Sequence, residues 1–150
     1  MDRTLCSLMA GAAGAGALTL SHQAARRATP SAPRMDVLGM RAVRGARSRL
    51  GLEGRSDRDI ERQALAGDLV ANSFYYSGVM ASTRAATWQR GFLLGALAGV
   101  GALILPERMG LGTPPHIESS RNKILTVAWY LIGGLTAAAA ANAMRPTGSR

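Results

Sequence analysis

Hydrophobic positions along this chain fall in long blocks rather than at amphipathic spacing. Three blocks contain no charged residue and cover positions 4–21, 91–105 and 124–143. A helix needs about 20 apolar residues to cross the hydrocarbon of a membrane, so the middle block must include the residues just before it, with Arg90 reaching the membrane surface. The pattern predicts transmembrane helices within residues 1–22, 85–106 and 120–144.

A fourth apolar block, residues 64–82, is long enough to span but is interrupted by Asp68 and Asn72, one helical turn apart. A carboxylate at mid-bilayer costs about 2.5–3.5 kcal/mol, and each strongly apolar residue offsets only about 0.3–0.6 kcal/mol. This block therefore inserts only with partner helices, or it lies at the membrane interface. Ser56 is a favourable cap for its start, which predicts a helix within residues 56–84.

Asp68 and Asn72 allow two interpretations. As the only acid inside an apolar block, Asp68 would form with Asn72 a polar intramembrane site that handles a proton or an ion. Its position four residues into the block favours the other interpretation, in which the carboxylate lies near the cytoplasmic interface and pairs with Arg62 or Arg90. We expect this ion pair.

The first apolar block has the length of either a retained membrane anchor or a cleaved signal peptide. Only Arg3 precedes it, opposed by Asp2, and His22 and Gln23 occupy the place where a small-residue cleavage site would fall. These features favour a retained anchor over residues 1–22.

Glycines in the 85–106 segment recur at Gly91, Gly95 and Gly99, four residues apart. This spacing places them on one helix face, where another backbone can approach closely. The 120–144 segment offers a similar strip at Gly133 and Ala137. A phosphate-binding loop is disfavoured, because no third glycine completes the GxGxxG spacing and no lysine is nearby. The five residues predict helix packing, against the same chain, a second copy or a larger partner.

The charge of the chain is uneven. The net charge is +9, and ten arginines fall between positions 26 and 62. Residues 23–55 are predicted to form an arginine-rich cytoplasmic segment containing a helix over 34–50, with Arg41, Arg44 and Arg47 contacting anionic lipid headgroups. A solvated connecting helix is the alternative. Nucleic acid is a disfavoured partner, because this segment has no aromatic residue for base stacking.

The distribution of basic residues predicts the topology through the positive-inside rule. With four spans, 13 of the 18 basic residues lie inside, and with three spans 14 do. Both arrangements put the N-terminus outside and the arginine-rich segment in the cytoplasm. They differ over the tail at 145–150, which is outside with four spans and inside with three. We favour four helices in the bundle.

Candidate chemistry is sparse. Cys6 is alone, and His22 and His116 have no second ligand at metal spacing, so we expect a buried thiol and two solvated loop histidines, with no metal, cofactor or catalytic set.

The sequence thus predicts an all-α, small polytopic bundle of three to four membrane-associated helices in a bacterial inner membrane. We expect a non-enzymatic structural, accessory or assembly component, acting as a homo-oligomer or within a larger membrane complex. The alternative is a small transporter or channel that uses Asp68 and Asn72.

Overall fold

A computed structural model of the chain describes residues 2–52 and 54–145, and within these ranges all regular secondary structure is helical. The helices are α1 (Arg3–Ala28), α2 (Met35–Arg49), α3 (Asp57–Ser77), α4 (Arg84–Arg108) and α5 (Ser120–Ala143). Three of them, α1, α4 and α5, are long and apolar enough to cross a membrane. The predicted all-helical fold class is therefore confirmed.

Helix starts follow from local capping. The side chains of Ser56 and Ser119 accept hydrogen bonds from the main-chain N–H groups of Asp59 and Asn122, each at 3.2 Å. Thr83 caps α4 in the same way. Each cap satisfies one of the N–H groups that a helix start leaves without an internal partner. The predicted cap at Ser56 is confirmed.

Two helices continue further than their apolar blocks. The first runs through His22 to Ala28, because no breaker precedes Pro30 and a helix can continue after its residues become polar. The fourth passes Pro106, which we expected to end it, and stops at Arg108. Proline removes one N–H donor, and here that loss is confined to the last turn. The chain then turns at Gly110, whose φ is +75°.

The four long helices alternate in direction. Gly11 of α1 lies against the backbone of Ser73 and Ser77 near the end of α3, and His22 of α1 contacts Trp129 in the first half of α5. These contacts make α1 antiparallel to both α3 and α5. Contacts between α4 and α5 are the most extensive between any two helices, and these helices are also antiparallel.

Because the helices alternate in direction, the start of α1 and the end of α5 lie on the same side of the bundle. Near them, the Ser7 hydroxyl lies 3.7 Å from the sulfur of Met80, and Arg145 donates to the Thr87 hydroxyl at 2.8 Å and to the Ser82 carbonyl at 3.0 Å. We call this side, with the link at 78–83, the terminal end. The opposite side, with α2 and the loop at 109–119, is the loop end.

At the loop end, α2 packs across the first half of α3. A Cβ added at Gly39 would lie 3.2 Å from the Cβ of Ala64, so glycine allows the two helices to approach closely here. Arg41 joins α2 to the loop, because its guanidinium donates to the carbonyls of Leu111 at 2.8 Å and Thr113 at 2.9 Å.

Small residues rather than large apolar ones fill the centre of the bundle. Tyr76 is the largest fully buried side chain, and the large apolar side chains of α4 point outward instead. The exposed ones are Trp88, Phe92, Leu93, Leu97, Val100, Ile104 and Leu105. We call this set the outer face of α4. A contiguous apolar surface of this kind is typical of contact with lipid or with another protein.

Candidate functional site

The glycine face of α4 lies against α5. A Cβ at Gly95 would come within 2.8 Å of both the Leu131 Cα and the Tyr130 carbonyl oxygen, and one at Gly99 within 2.8 Å of the Val127 Cα. Real Cβ atoms do not approach so closely, so the backbones touch only because these positions carry no side chain. We call this contact, which begins at Gly91, the α4–α5 seam.

A second close contact joins α5 to α1 on another face. A Cβ at Gly14 would lie 2.6 Å from the Gly133 carbonyl oxygen and 2.8 Å from the Ala137 Cβ. Gly133 and Ala137 therefore face α1, whereas Gly134 and Ala138 face α4 at Gly91. Both pairs of small residues can be recognised in the sequence. The sequence did not show that each pair contacts a different helix.

Helix α5 lies against the spaced glycines of α4. The partner is another helix of the same chain. These glycines are therefore unavailable to a second copy or a larger partner in this arrangement. A surface for another protein must lie elsewhere, and the outer face of α4 is the largest apolar one.

Asp68 and Asn72 form a local pair. The Asn72 side-chain nitrogen donates to the Asp68 carboxylate at 2.9 Å and to its main-chain carbonyl at 3.0 Å. The expected ion pair is not formed, since no ion pair among the described residues involves Asp68. Arg62 lies six residues before Asp68, so nearly two helical turns separate them along α3. Arg90 lies at the terminal end and donates to the Met80 carbonyl.

Asp68 instead lines a cavity with a volume of about 340 Å³. Helices α1 and α3 form most of its wall, and α2 closes it at the loop end. Ala102 and Pro106 contribute the side formed by α4, and Tyr130 contributes from α5. The volume falls within the range of about 300–1,000 Å³ that is usual for small-molecule sites.

His22 lies in this cavity wall, and our expectation of a solvated loop histidine was wrong. Its ring meets Trp129 edge-on, with centroids 4.6 Å apart. The His22 Nε2 and the Thr19 hydroxyl oxygen are buried and have no hydrogen-bond partner among the described residues. The sequence did contain a signal, since Thr19, His22, Gln23 and Arg26 recur at the spacing of one helix face.

An arginine–carboxylate cluster closes the loop end of the cavity. Two nitrogens of Arg34 donate to the Asp36 carboxylate at 2.9 and 2.8 Å, and Arg26 approaches Asp36 at 3.4 Å and Glu61 at 3.6 Å. Burial by itself would raise the pKa of Asp36, but the hydrogen bond from Arg34 and the charges of both arginines hold that pKa below its usual value. The cluster joins α1 to α2 and α3.

The arginines predicted to contact lipid headgroups have different surroundings. The Arg41 guanidinium donates to the Leu111 and Thr113 carbonyls of the loop. Arg44 pairs with Asp57 at 2.8 Å. Arg47 lines a small hollow beside Arg44, between α2 and the start of α3. Headgroup contact at these three residues stays a prediction.

Groups that could hold a metal are absent from the described residues, where no three side chains of histidine, cysteine, aspartate or glutamate come together. Cys6 is buried in α1. His116 lies in the loop with φ +65°, and its carbonyl accepts a hydrogen bond from Asn122. The chemically distinctive features are thus the glycine contacts, the Asp68–Asn72 pair and the cavity. Comparison of the chain with protein-family models, with curated proteins and with solved structures finds no match.

Proposed function

We propose that this chain is a multi-pass protein of a bacterial inner membrane that serves as an accessory or assembly component and has no catalytic activity. The observation that carries the proposal is the arrangement of its apolar surface. Small residues form the close contacts between helices, whereas the large apolar side chains on the outer face of α4 remain exposed. Such a molecule presents apolar surface to lipid and to a membrane partner.

Four crossings follow from the alternating directions of the helices. If α1, α4 and α5 cross the membrane, then α3, which lies alongside α1 from the loop end to the terminal end, crosses with them. Its composition is too polar for insertion alone, but the Asp68 carboxylate accepts a hydrogen bond from Asn72 and the Tyr76 side chain is fully buried. The hydrogen bond within α3 and the burial of Tyr76 against α5 thus reduce the cost of placing this helix in hydrocarbon.

The charges orient the bundle. Of the 18 basic residues, 13 lie in positions 26–62 and 106–123, which belong to the loop end and its flanks. Cytoplasmic segments of inner-membrane proteins carry this excess of arginine and lysine. The loop end is therefore cytoplasmic, and the terminal end faces outward.

Site-specific photo-crosslinking in native membranes tests the accessory role. In one variant a photoreactive residue replaces Leu97 on the outer face of α4. In a second variant it replaces Met9 on α1, which is also exposed. We expect a protein adduct of one fixed mass at position 97, either a dimer or a complex with one partner. Lipid adducts alone at both positions would contradict an accessory role through this face.

A second candidate function, a small transporter or channel, is favoured by one observation: Asp68 lines the cavity and, among the described residues, has Asn72 as its one side-chain partner. This candidate predicts that Asp68→Asn leaves the protein inserted and folded but abolishes a proton- or ion-dependent phenotype. Asp57→Asn, at the exposed start of α3, is the control. An unchanged phenotype in Asp68→Asn would exclude this candidate.

A further inference from the structure

The cavity opens between α3 and α4 because these helices touch only near their connecting link. The Tyr75 hydroxyl donates to the Leu94 carbonyl at 2.9 Å and holds them together there. Other contacts between the two helices are few. Nearer the loop end, Leu65 on α3 and Ala102 on α4 both line the cavity, which leaves an apolar opening on the side of the bundle.

Apolar groups form much of the cavity wall. Met35 and Leu38 lie on the side of α2, Leu65 on that of α3, and Pro106 on that of α4. Leu65 remains more than one third exposed. This opening lies where the four crossings would place hydrocarbon, so an acyl chain rather than water is the natural occupant of its apolar part.

Two arginines carry positive charge on the cavity rim. Arg58 and Arg62 follow one another by one turn of α3, and both line the cavity. Neither forms an ion pair within the described part of the chain. Of the three carboxylates in the cavity wall, those of Asp36 and Glu61 contact Arg26, and that of Asp68 accepts a hydrogen bond from Asn72. Paired guanidinium groups bind phosphate well, because each offers two parallel N–H donors.

We propose that the cavity binds one anionic phospholipid molecule. Its phosphate lies between Arg58 and Arg62, and one acyl chain lies in the opening between Leu65 and Ala102. The buried polar atoms of Thr19 and His22 support this assignment, since buried polar groups in proteins nearly always have a partner and the ester oxygens of a glycerolipid would supply one. The inference rests on the proposed membrane location but not on the accessory role.

Native mass spectrometry of the full chain, released from lipid nanodiscs, tests the site. The probes are phosphatidylglycerol and phosphatidylcholine, which share acyl chains but differ in net charge. We expect preferential retention of one phosphatidylglycerol, and we expect the double variant Arg58→Gln/Arg62→Gln to lower that retention about tenfold or more, because each charged hydrogen bond contributes about 1.5–3 kcal/mol. The matched control is Arg27→Gln/Arg49→Gln, which removes two exposed charges at the loop end that do not line the cavity.

The two double variants separate the outcomes. Loss of the lipid in the control but not in the test variant would place the headgroup outside the cavity and overturn the proposal. Equal retention of the two lipids by the unmodified protein would also overturn it. Binding of inorganic phosphate by a protein that retains no phosphatidylglycerol would show a phosphate site without a lipid chain, which is likewise contrary to the proposal.

A second pair of variants tests the acyl-chain part without changing charge. Ala102→Phe places a ring in the opening and should reduce phosphatidylglycerol retention, whereas Val100→Phe adds the same ring on the outer face of α4 and should not. Membrane insertion and helicity are measured for every variant. An inserted, helical protein that retains lipid equally in all of them would refute the site while leaving the proposed function intact.

Discussion

The hydroxyl of Tyr76 on α3 donates a hydrogen bond to the main-chain carbonyl of Tyr130 on α5, at 2.8 Å. The Tyr76 ring is fully buried and fills the space that Gly133 leaves open, where a Cβ would lie 2.9 Å from the ring. This contact attaches α3 to α5. The most polar of the long helices is therefore held by its neighbours and not by its own hydrophobicity.

Tyr76→Phe should lower the free energy of unfolding by about 1 kcal/mol, because it removes one hydrogen bond and leaves the Tyr130 carbonyl without that donor. Thermal unfolding in a mild detergent measures the change. Tyr75→Phe is the matched control, since the Tyr75 hydroxyl also donates to a carbonyl but is more exposed. A larger loss in the control than in Tyr76→Phe would contradict the central position of Tyr76.

Gly95→Ala should destabilise the α4–α5 seam by about 1–3 kcal/mol, because the added Cβ would overlap the α5 backbone at Leu131 and force the helices apart. Thermal unfolding again provides the measurement, together with circular dichroism to confirm that the variant remains helical.

The control for the seam is Gly101→Ala on the same helix. A Cβ there would meet only the end of the Leu105 side chain, at 3.4 Å. We expect no loss of stability, since alanine favours the helix more than glycine does. Equal destabilisation by the two alanines would show that helix propensity rather than backbone contact determines the effect.

The α4–α5 seam also shows which part of the helix packing could be predicted from the sequence. Spacing alone put Gly91, Gly95 and Gly99 on one helix face. It could not identify the helix that covers them, because Gly133 and Gly134 offer equally suitable strips one residue apart. Only the arrangement of all the helices assigns Gly134 to α4 and Gly133 to α1.

The cavity was harder to predict than the helices. Local signals set the caps at Ser56 and Ser119, since a cap depends on residues within one turn. The wall of the cavity combines residues from different helices, such as His22 and Asp68, that lie far apart in the chain. His22 was predicted to lie in a loop because the hydropathy of the sequence falls at that position. Low hydropathy indicates polar surroundings and does not show that the helix ends there.

Asp36→Asn should make the loop end less stable at neutral pH. The pKa of Asp36 is lower in the folded chain than its ordinary value, so its stabilising contribution is present above that ordinary value. The contribution is lost as the pH falls through the lowered pKa. The difference in melting temperature between the unmodified chain and the variant should therefore disappear in strong acid.

Asp57→Asn provides the comparison for this pH dependence. Asp57 also contacts an arginine, but its carboxylate is 86% exposed, and exposed ion pairs contribute little to stability. We expect almost no change in melting temperature at neutral pH. A difference for Asp36→Asn that persists unchanged into strong acid would argue against the charged cluster as its cause.

Reporter fusions placed after residue 145 and between α2 and α3 test the four-crossing arrangement most directly. Alkaline phosphatase is active only outside the cytoplasm, and a fluorescent protein exported in unfolded form through the general secretory route stays dark there. With four crossings, the C-terminal phosphatase fusion is active and the fluorescent fusion between α2 and α3 is bright. A bright C-terminal fluorescent fusion with an inactive C-terminal phosphatase would place the two ends on opposite sides and contradict the crossing of α3.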